Sequence, residues 1–591
     1  MLTAVADEPA YGAARAALER LGAPFEVHIA TTTPFSSLNL FEDDGTCRYS
    51  SVILATDMLA YYDAAYDQWV SALSEQAWEM LASYEVVCGA REAIWYAYPN
   101  PDLGMTEVST FESDEVETGT LTAEGQAMFP YLNAAAVIGV QDAWGYRAQI
   151  TTPETTTPLI VTPTGEALMV KHQRLDGTEV IAITVDSASY SLHSQLLEYG
   201  VIAWLQRGLF LGERRVYLTA QMDDVYLYTD LWKIGATSAE ESDTSYRMTP
   251  ADVSDLVAWQ RAVQARLPAG SSFITHLPFN GIGTLPSAYP DTGLTSALDA
   301  VSNEFEWVNH TWDHEDMDAM TRERARAEMV ANCQLADERG FSRFTCSAAV
   351  TPHVSGLDNP AAVEGMLEAG VRYVVSDTSV TAELRPGNPG TNPSHNVGRR
   401  NPIDPALFQI PRHPTNIFYS TSLPGEQVDL YNFLYRDWHG RDLTYQEIMI
   451  EETSVALSYL MTYDINPLMF HQANLRFWAG TDAQRHSLYS DWVDMLLDRY
   501  LSLVNLPVLT LPMPQIAAAM QQREAYDGCG ASAVLVSDES GRRLELTTVS
   551  ACVVPVTGLA AATAGSVQEY GGVTTTFVDA DACAPVVLPL D

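Results

Sequence analysis

The chain of 591 residues contains only two lysines, Lys171 and Lys233, so arginine supplies almost all of its positive charge. With 32 basic and 76 acidic residues, the formal net charge is −44. A field of this sign repels nucleic acid and anionic lipid, which makes both poor partners. It would attract a polycation, such as a polymer with exposed amines, and it equally fits a solubility adaptation to a salty medium.

Long apolar runs are also missing. No apolar stretch reaches the length of about 18 residues that a bilayer-spanning helix needs. The first residues, MLTAVADEPAYG, lack the basic region and apolar core of a signal peptide. Two expectations are compatible with this, a leader that has already been removed or a cytosolic protein.

The seven cysteines include no CxxC pair, which argues against structural zinc and thiol redox chemistry. They lie instead in local groups, namely Cys47 with Cys88, Cys333 with Cys346, and a late group of Cys529, Cys552 and Cys583. Local pairs with one cysteine left over predict disulfides and therefore a secreted or extracellular protein.

Hydrophobic periodicity predicts an α/β protein of several domains. Residues 1–105 and 179–212 alternate strand and helix patterns and predict an N-terminal α/β (Rossmann-like) domain, with a helix at 10–22, another near 67–83 and a strand over YEVVCGA. Residues 106–178 are rich in Thr, Val and Gly and predict a β-sandwich insertion. Residues 213–524 alternate strands and helices again, which predicts a (β/α) barrel, and residues 525–591 predict a small C-terminal β domain.

Two adjacent carboxylates, Asp223 and Asp224, follow the apolar strand VYLTA. Such a pair is costly unless a cation or a proton lies nearby, so a functional pair would divide its roles between metal binding and proton transfer. Paired aspartates also begin ordinary solvent-exposed loops, and this alternative stays open for the motif alone.

The hexapeptide Asn309-His310-Thr311-Trp312-Asp313-His314 follows the strand EFEWV and places two histidines four residues apart. Two imidazoles at this spacing can face one divalent ion together with a carboxylate, whereas the alternative is a pair of surface histidines on a polar turn. Because the chain has only 12 histidines, we favour a metal site at His310 and His314.

A single histidine, His471, ends the late apolar strand LMF. If the strands of the barrel are parallel, His471 shares an edge with the other two motifs and is a candidate general acid. Asp377, at the end of the strand VRYVVSD, would then orient His471 and keep it protonated. The alternative is a buried histidine bonded to the backbone.

In order and in strand position, QMDDV, HTWDH and LMFH resemble the motifs of the NodB-like polysaccharide deacetylases, carbohydrate esterase family 4. This resemblance implies Asp223 as the catalytic base, Asp224, His310 and His314 as ligands of one divalent ion such as Zn²⁺ or Co²⁺, and His471 as the acid. The family's Arg-Pro-Pro segment is replaced by Thr351-Pro352-His353-Val354-Ser355-Gly356, so the arginine that steadies the base is absent there. Arg412, in QIPRHP, is the candidate substitute.

The segments PRHPTNIFYS and GAREAIWYAYPNPDLGM further resemble the galactosaminogalactan deacetylases of carbohydrate esterase family 18. That resemblance implies a deacetylase domain joined to a β-sandwich carbohydrate-binding module, and an acetylated polysaccharide of N-acetylgalactosamine as substrate. Two other classes remain as alternatives. One is a glycoside hydrolase that pairs Asp223 with Glu315 or Asp316, and the other is a carbohydrate-binding protein that has lost its activity.

Overall fold

The computed structural model describes residues 1–65, 67–238, 241–379, 396–480, 484–539 and 541–590. The chain forms two compact units. The first comprises residues 1–214, 501–506 and 526–591, and the second comprises residues 215–500 and 507–525. The predicted boundaries between four domains stay predictions.

The first 214 residues contain fourteen described strands and four helices. The strands are β1 (Leu2–Thr3), β2 (His28–Ile29), β3 (Ser51–Thr56), β4 (Ala60–Asp63), β5 (Gln68–Ser71), β6 (Arg91–Tyr96), β7 (Met105–Phe111), β8 (Glu117–Leu121), β9 (Val137–Val140), β10 (Gly145–Ile150), β11 (Thr156–Val161), β12 (Ala167–Gln173), β13 (Glu179–Ile183) and β14 (Phe210–Leu211). The helices are α1 (Pro9–Leu21), α2 (Glu75–Cys88), α3 (Ala123–Met128) and α4 (Leu192–Leu205).

One mixed sheet of eleven strands organises this segment, with the main order β2-β1-β3-β6-β13-β12-β11-β8-β9. β13 pairs in parallel with β6 and antiparallel with β12, so both of its edges are hydrogen-bonded. The strands predicted as an inserted sandwich are therefore continuous with the N-terminal sheet, because β13 and β12 join the two parts edge to edge.

Local sequence signals explain one helix and correct another. α1 ends at Gly22, whose φ of 72° is the left-handed conformation that glycine adopts without strain, so the predicted C-cap is confirmed. The helix predicted near 67–83 is confirmed over residues 75–83 but has other bounds, and the strand predicted over 84–90 is wrong. The chain forms β5 first, α2 begins after the N-cap Ser74, and its helical hydrogen bonding continues through the valines of YEVVC to Gly89.

The second unit contains the remaining strands up to residue 509 and eight helices. The strands are β15 (Val216–Tyr217), β16 (Ala220–Asp223), β17 (Thr229–Trp232), β18 (Ser242–Tyr246), β19 (His276–Phe279), β20 (Glu306–Asn309), β21 (Phe344–Ala349), β22 (Tyr373–Asp377), β23 (Arg399–Arg400), β24 (Phe408–Pro414), β25 (Leu468–His471), β26 (Trp478–Ala479), β27 (Arg485–His486) and β28 (Val508–Leu509). The helices are α5 (Pro250–Arg266), α6 (Leu294–Asp299), α7 (Arg322–Arg339), α8 (Pro360–Glu368), α9 (Pro424–His439), α10 (Tyr445–Met461), α11 (Leu488–Leu503) and α12 (Met513–Gly528).

Seven of these strands close into a parallel barrel. The order is β22-β21-β20-β19-β16-β25-β24, and β24 pairs with β22 to complete the ring. β23 adds to β24 in the antiparallel direction. The predicted (β/α) barrel is confirmed, and its closure brings the carboxyl ends of all seven strands to one edge, where catalytic groups of such barrels lie.

The C-terminal residues form strands, as predicted. They are β29 (Ser532–Asp538), β30 (Gly541–Thr547), β31 (Cys552–Thr557), β32 (Gly565–Tyr570), β33 (Val573–Ala580) and β34 (Val586–Pro589). β14 joins β31, β33 and β32 in a four-stranded sheet, and β29, β30 and β34 form a second sheet. One hydrophobic core includes the buried side chains of Leu546, Val554, Val556 and Val578.

Three disulfides form within the local cysteine groups. They join Cys47 to Cys88, Cys333 to Cys346 and Cys529 to Cys552, while Cys583 is a free and exposed thiol. The predicted pattern of local pairs with one cysteine left over is confirmed. Among the residues that the structure describes, no helix combines the length and hydropathy that a membrane crossing requires.

Candidate metal centre

The predicted motifs meet at the carboxyl edge of the barrel. Asp223 is the last residue of β16 and His471 is the last residue of β25, and the two are direct partners in the parallel register. β20 ends at Asn309, so the next residue, His310, emerges at the same edge. Barrel closure therefore gathers side chains that are far apart in the sequence.

Asp224, His310 and His314, called the ligand cluster below, converge on one point. The Nε2 atoms of His310 and His314 lie 3.2 Å and 3.0 Å from the same Oδ1 atom of Asp224. One ligand atom from each of the three residues lies within 4.8 Å of the other two. Two imidazoles and one carboxylate form a donor set that suits zinc and its divalent neighbours.

The backbone fixes which nitrogen of His310 faces the cluster. Its Nδ1 lies 2.8 Å from the carbonyl oxygen of Val350. A carbonyl can only accept, so Nδ1 carries the proton and Nε2 keeps its lone pair for an ion. This is the arrangement that a histidine ligand requires, and it shows that the residues present fit a divalent ion.

The electrostatics of the ligand cluster also favour a cation. Burial would raise the pKa of Asp224, but without an ion the imidazoles of His310 and His314 can take up a proton on Nε2, and the hydrogen bonds that they then donate lower this pKa well below its usual value. For His310, burial lowers the pKa, and the opposing charge of Asp223 with the bond to Asp224 produces a net rise. A positive charge is thus stabilised at this point, by proton or by metal.

Strained backbone accompanies the cluster. Asp224, Thr311 and His314 have φ values of 65°, 68° and 64°, a region that non-glycine residues rarely occupy. His353 and Val354 follow β21 with φ values of 52° and 55°. Such conformations persist where surrounding contacts impose them and they concentrate at functional sites.

Asp223 belongs to a different pair. Its Oδ1 accepts a hydrogen bond of 2.9 Å from Nη1 of Arg412, and both side chains are almost fully buried. The same guanidinium contacts Gln221 Oε1 at 3.4 Å and Met469 Sδ at 3.2 Å. Arg412 therefore lies where a substitute for the missing arginine has to lie, although its catalytic role stays a prediction.

His471 and Asp377 are not joined in the way that the sequence prediction requires. Asp377 Oδ1 accepts hydrogen bonds from the backbone N and the Oγ of Ser379, and the buried Nδ1 of His471 has no hydrogen-bond partner. Asp377 is instead the register partner of Arg412. Burial lowers the pKa of His471, while the charges of Asp224 and Asp223 oppose this effect.

Two residues near the ligand cluster were missed by sequence reasoning. The ring of His353 lies 5.2 Å from the ring of His314, centroid to centroid, in the turn Pro352–Val354 that replaces the family's Arg-Pro-Pro segment. Glu328, on α7, accepts 2.9 Å hydrogen bonds from the backbone N of Trp312 and of Asp313. His353 could have been predicted, because it lies in the segment that replaces the family's Arg-Pro-Pro segment. Nothing in the sequence marks Glu328.

Asp313, Glu315 and Glu328, called the acidic cluster below, form a second group with the spacing of a metal site. Arg324 makes an ion pair with each of the three carboxylates, at 3.1 Å for Glu315 and 2.9 Å for Glu328. Its guanidinium already supplies a positive charge to all three carboxylates. Through the two backbone bonds of Glu328, the acidic cluster supports the loop of residues 310–314, called the metal loop below.

Comparison with family models divides the chain into two matched regions. A family described as the Agd3 deacetylase domain matches residues 218–299 and 295–534. The chain belongs to this family. A second model, described as Agd3 CBM87, matches residues 1–204. The deacetylase region contains the whole ligand cluster, and the predicted resemblance to the deacetylases of carbohydrate esterase family 18 is confirmed.

A solved structure shares this architecture. The crystal structure of Agd3, described as a novel carbohydrate deacetylase, matches with a TM-score of 0.87 at 20% identity, covering 100% of this chain and 98% of that one. A family 4 carbohydrate esterase from Streptomyces lividans in complex with acetate covers 49% of this chain and 90% of its own length, with 12% identity and a TM-score of 0.24. No curated protein sequence matches the chain. The chain is thus an enzyme with an Agd3-type carbohydrate deacetylase domain.

Proposed function

We propose that this Agd3-type protein removes N-acetyl groups from an exopolysaccharide that contains N-acetylgalactosamine, releasing acetate and leaving a cationic amino sugar. The observation that carries the proposal is the convergence of the ligand cluster beside the buried Asp223–Arg412 pair at the carboxyl edge of the barrel. The family match supports the class of reaction, and the sugar is the further step that we propose.

Asp224, His310 and His314 would hold the ion, which we propose to be Zn²⁺ with Co²⁺ as an alternative. When bound, a divalent ion supplies Lewis acidity for the acetyl carbonyl and lowers the pKa of water. Three protein ligands leave coordination positions for substrate, which is typical of catalytic rather than structural sites.

Asp223 is the proposed general base. Arg412 pairs with its Oδ1, which compensates the buried charge and fixes the direction of the carboxylate. The proton of the attacking water would pass to this carboxylate. Asp223 and His471 are register partners on adjacent strands, which supports the proposal that His471 would deliver a proton to the departing amine nitrogen.

The substrate class is supported by charge and composition. Deacetylation produces ammonium groups, and a chain with a net charge of −44 would stay associated with such a product. The region matched by the carbohydrate-binding module model gives a second contact with polymer. We also propose that the protein acts outside the cell, since its three disulfides persist best in an oxidising compartment.

The alternative of a glycoside hydrolase receives no support from the contacts of its second carboxylate. Glu315 is paired with Arg324, and Asp316 accepts a hydrogen bond from the backbone N of Asp318. A retaining or inverting hydrolase needs a second carboxyl group facing the same bond as Asp223. Both candidate carboxylates, Glu315 and Asp316, are therefore engaged in other contacts.

Acetate release from a panel of acetylated polysaccharides, with and without chelator, tests the proposal. We expect release from N-acetylgalactosamine polymer, loss of release with chelator and recovery on adding Zn²⁺ or Co²⁺. The appearance of new reducing ends would instead support glycoside hydrolysis. A metal-loaded protein that releases acetate from no polymer would contradict the proposal and favour a binding protein that has lost its activity.

A further inference from the structure

Two stacked tyrosines near the ligand cluster have no part in the chemistry described above. The rings of Tyr228 and Tyr289 lie 5.8 Å apart, centroid to centroid, with an angle of 15° between their planes. Tyr228 is 44% exposed, so part of its ring is available to a ligand. An aromatic pair with one exposed ring offers a contact surface with few rotatable bonds, which lowers the entropy cost of binding.

Buried Arg247 holds this pair in place. Its guanidinium lies 5.6 Å from the ring of Tyr228 and 5.3 Å from the ring of Tyr289. Its nitrogens donate to the carbonyl oxygens of Tyr226 at 2.7 Å, Gly283 at 2.6 Å and Pro290 at 3.1 Å. Arg247 therefore ties together the two segments that carry the rings.

Hydrogen bonds join the same segments to Asp224 and to the metal loop. Tyr228 follows Asp224 by four residues, and a turn closes between them through the 2.9 Å bond from Leu227 N to Asp224 O. The turn before Tyr289 is anchored to the metal loop by the 3.0 Å bond from Ile282 N to Trp312 O. Burial raises the pKa of Tyr289, and the charge of Asp224 contributes to the rise, so the two groups are within electrostatic reach.

We propose that Tyr228 and Tyr289 form a sugar-binding subsite, which holds a neighbouring pyranose ring of the polymer while one residue is deacetylated. The inference rests on the proposed function. Pyranose rings present C–H groups that pack on aromatic faces, whereas a small acetyl ester would not reach the pair. The positive charge of Arg247 close to both rings favours an uncharged, acetylated sugar over an ammonium-bearing one.

The test compares substrates of different length on full-length, metal-loaded protein. N-acetylgalactosamine oligomers of one to six residues and p-nitrophenyl acetate are assayed with wild type, Tyr228→Ala, Tyr289→Ala and Tyr228→Phe. We expect each alanine variant to raise KM for the hexamer by about tenfold, the scale of losing one aromatic anchor. Turnover of p-nitrophenyl acetate should not change, and the Phe variant should behave as wild type because it keeps the ring.

The matched control is Trp438→Ala, which removes an aromatic side chain that is 85% exposed on α9. This variant should leave both activities unchanged.

Two outcomes overturn the subsite. One is an unchanged KM for the hexamer in both alanine variants, and the other is an equal loss on hexamer and ester, which would indicate a structural role. Failure of the proposed function looks different, because wild type itself would then release no acetate from any oligomer. In that case calorimetric titration with the hexamer, which needs no turnover, decides the subsite. Weaker binding by the alanine variants supports it, and equal binding overturns it.

Discussion

The ligand cluster and the acidic cluster share one loop but differ in the source of their positive charge. The loop after β20 gives His310 and His314 to the ligand cluster, and Asp313 and Glu315 to the acidic cluster. Arg324 pairs with all three carboxylates of the acidic cluster, whereas the ion pairs of the ligand cluster run between Asp224 and its own imidazoles. Three converging donors are therefore insufficient evidence for a metal site, and the decisive feature is whether the chain itself already supplies the cation.

The clusters also respond to protonation in opposite directions. The pKa of Asp224 is lowered well below its usual value, so its contribution to stability is present above the unfolded pKa and is lost as pH falls. Burial raises the pKa of Glu328 to about 7, opposed by the backbone hydrogen bond from Asp313 and by the charge of Arg324, while the carboxylate of Asp313 adds to the rise. Its contribution is largest below the unfolded pKa and is lost as pH rises towards 7.

The largest effect is expected for His310→Ala. Bound metal should fall from one ion per chain to none, and acetate release should fall on the order of 10⁴-fold, because the Lewis acid and its activated water are lost together. Metal analysis and acetate release measure the two quantities. Glu315→Gln, a change in the acidic cluster, should keep both. Loss of metal in Glu315→Gln, or its retention in His310→Ala, would reverse the assignment of the clusters.

Asp223→Asn should reduce kcat about 10³-fold without removing metal, since a positioned base contributes on the order of 10²–10⁴-fold. The amide keeps the shape of the side chain and can still accept a hydrogen bond from Arg412. Asp223→Asn should therefore keep its metal while its kcat falls, whereas His310→Ala should lose both. If Asp223→Asn released metal, Asp223 would be a ligand and the division of roles between the adjacent aspartates would be wrong.

Arg412→Gln should lower kcat by roughly 10–100-fold with little change in KM, because a small displacement of the base is enough to slow the reaction. In the double variant with Asp223→Asn, the activation free energy should rise by less than the sum of the two single-variant increases, since both substitutions act through one contact. Arg400→Gln is the matched control, because Arg400 lies in the neighbouring strand β23 and is about half exposed. If the increase in the double variant equalled the full sum of the two single-variant increases, Arg412 would not act through Asp223.

These clusters also show what the sequence can predict. His310 and His314 were found because HTWDH is a local motif whose spacing has a chemical reason. The barrel and the edge position of His471 followed from alternating strands and helices. The Asp223–Arg412 contact joins residues 189 positions apart, and only the pairing of β24 with β25 and of β25 with β16 brings them together.

Other features depended on long-range contacts that no local pattern encodes. The Tyr228–Tyr289 stack requires the docking of two loops on Arg247, and the N-terminal sheet requires the pairing of β13 with both β6 and β12. The strand predicted over 84–90 is wrong, and the predicted helix was ended too early, because valines favour strands only on average. In this segment the N-cap at Ser74 and the left-handed Gly89 define a single helix.

The smallest effect on turnover is expected for Glu328→Gln, which tests the opposite pH response of the acidic cluster. The amide removes a group whose pKa is raised to about 7 in the folded state, so the cost of ionising it between pH 4.5 and pH 7 disappears. We expect the stability of the variant relative to wild type to rise over this range by about 1–2 kcal/mol, because solvent screening reduces the full 1.4 kcal/mol or so per pKa unit. Urea unfolding at several pH values measures the difference, and Glu315→Gln, whose side chain is 54% exposed, should show a much smaller change. Parallel stability curves for wild type and Glu328→Gln would mean that Arg324 keeps Glu328 ionised throughout, which would make the acidic cluster electrostatically equivalent to a surface ion pair.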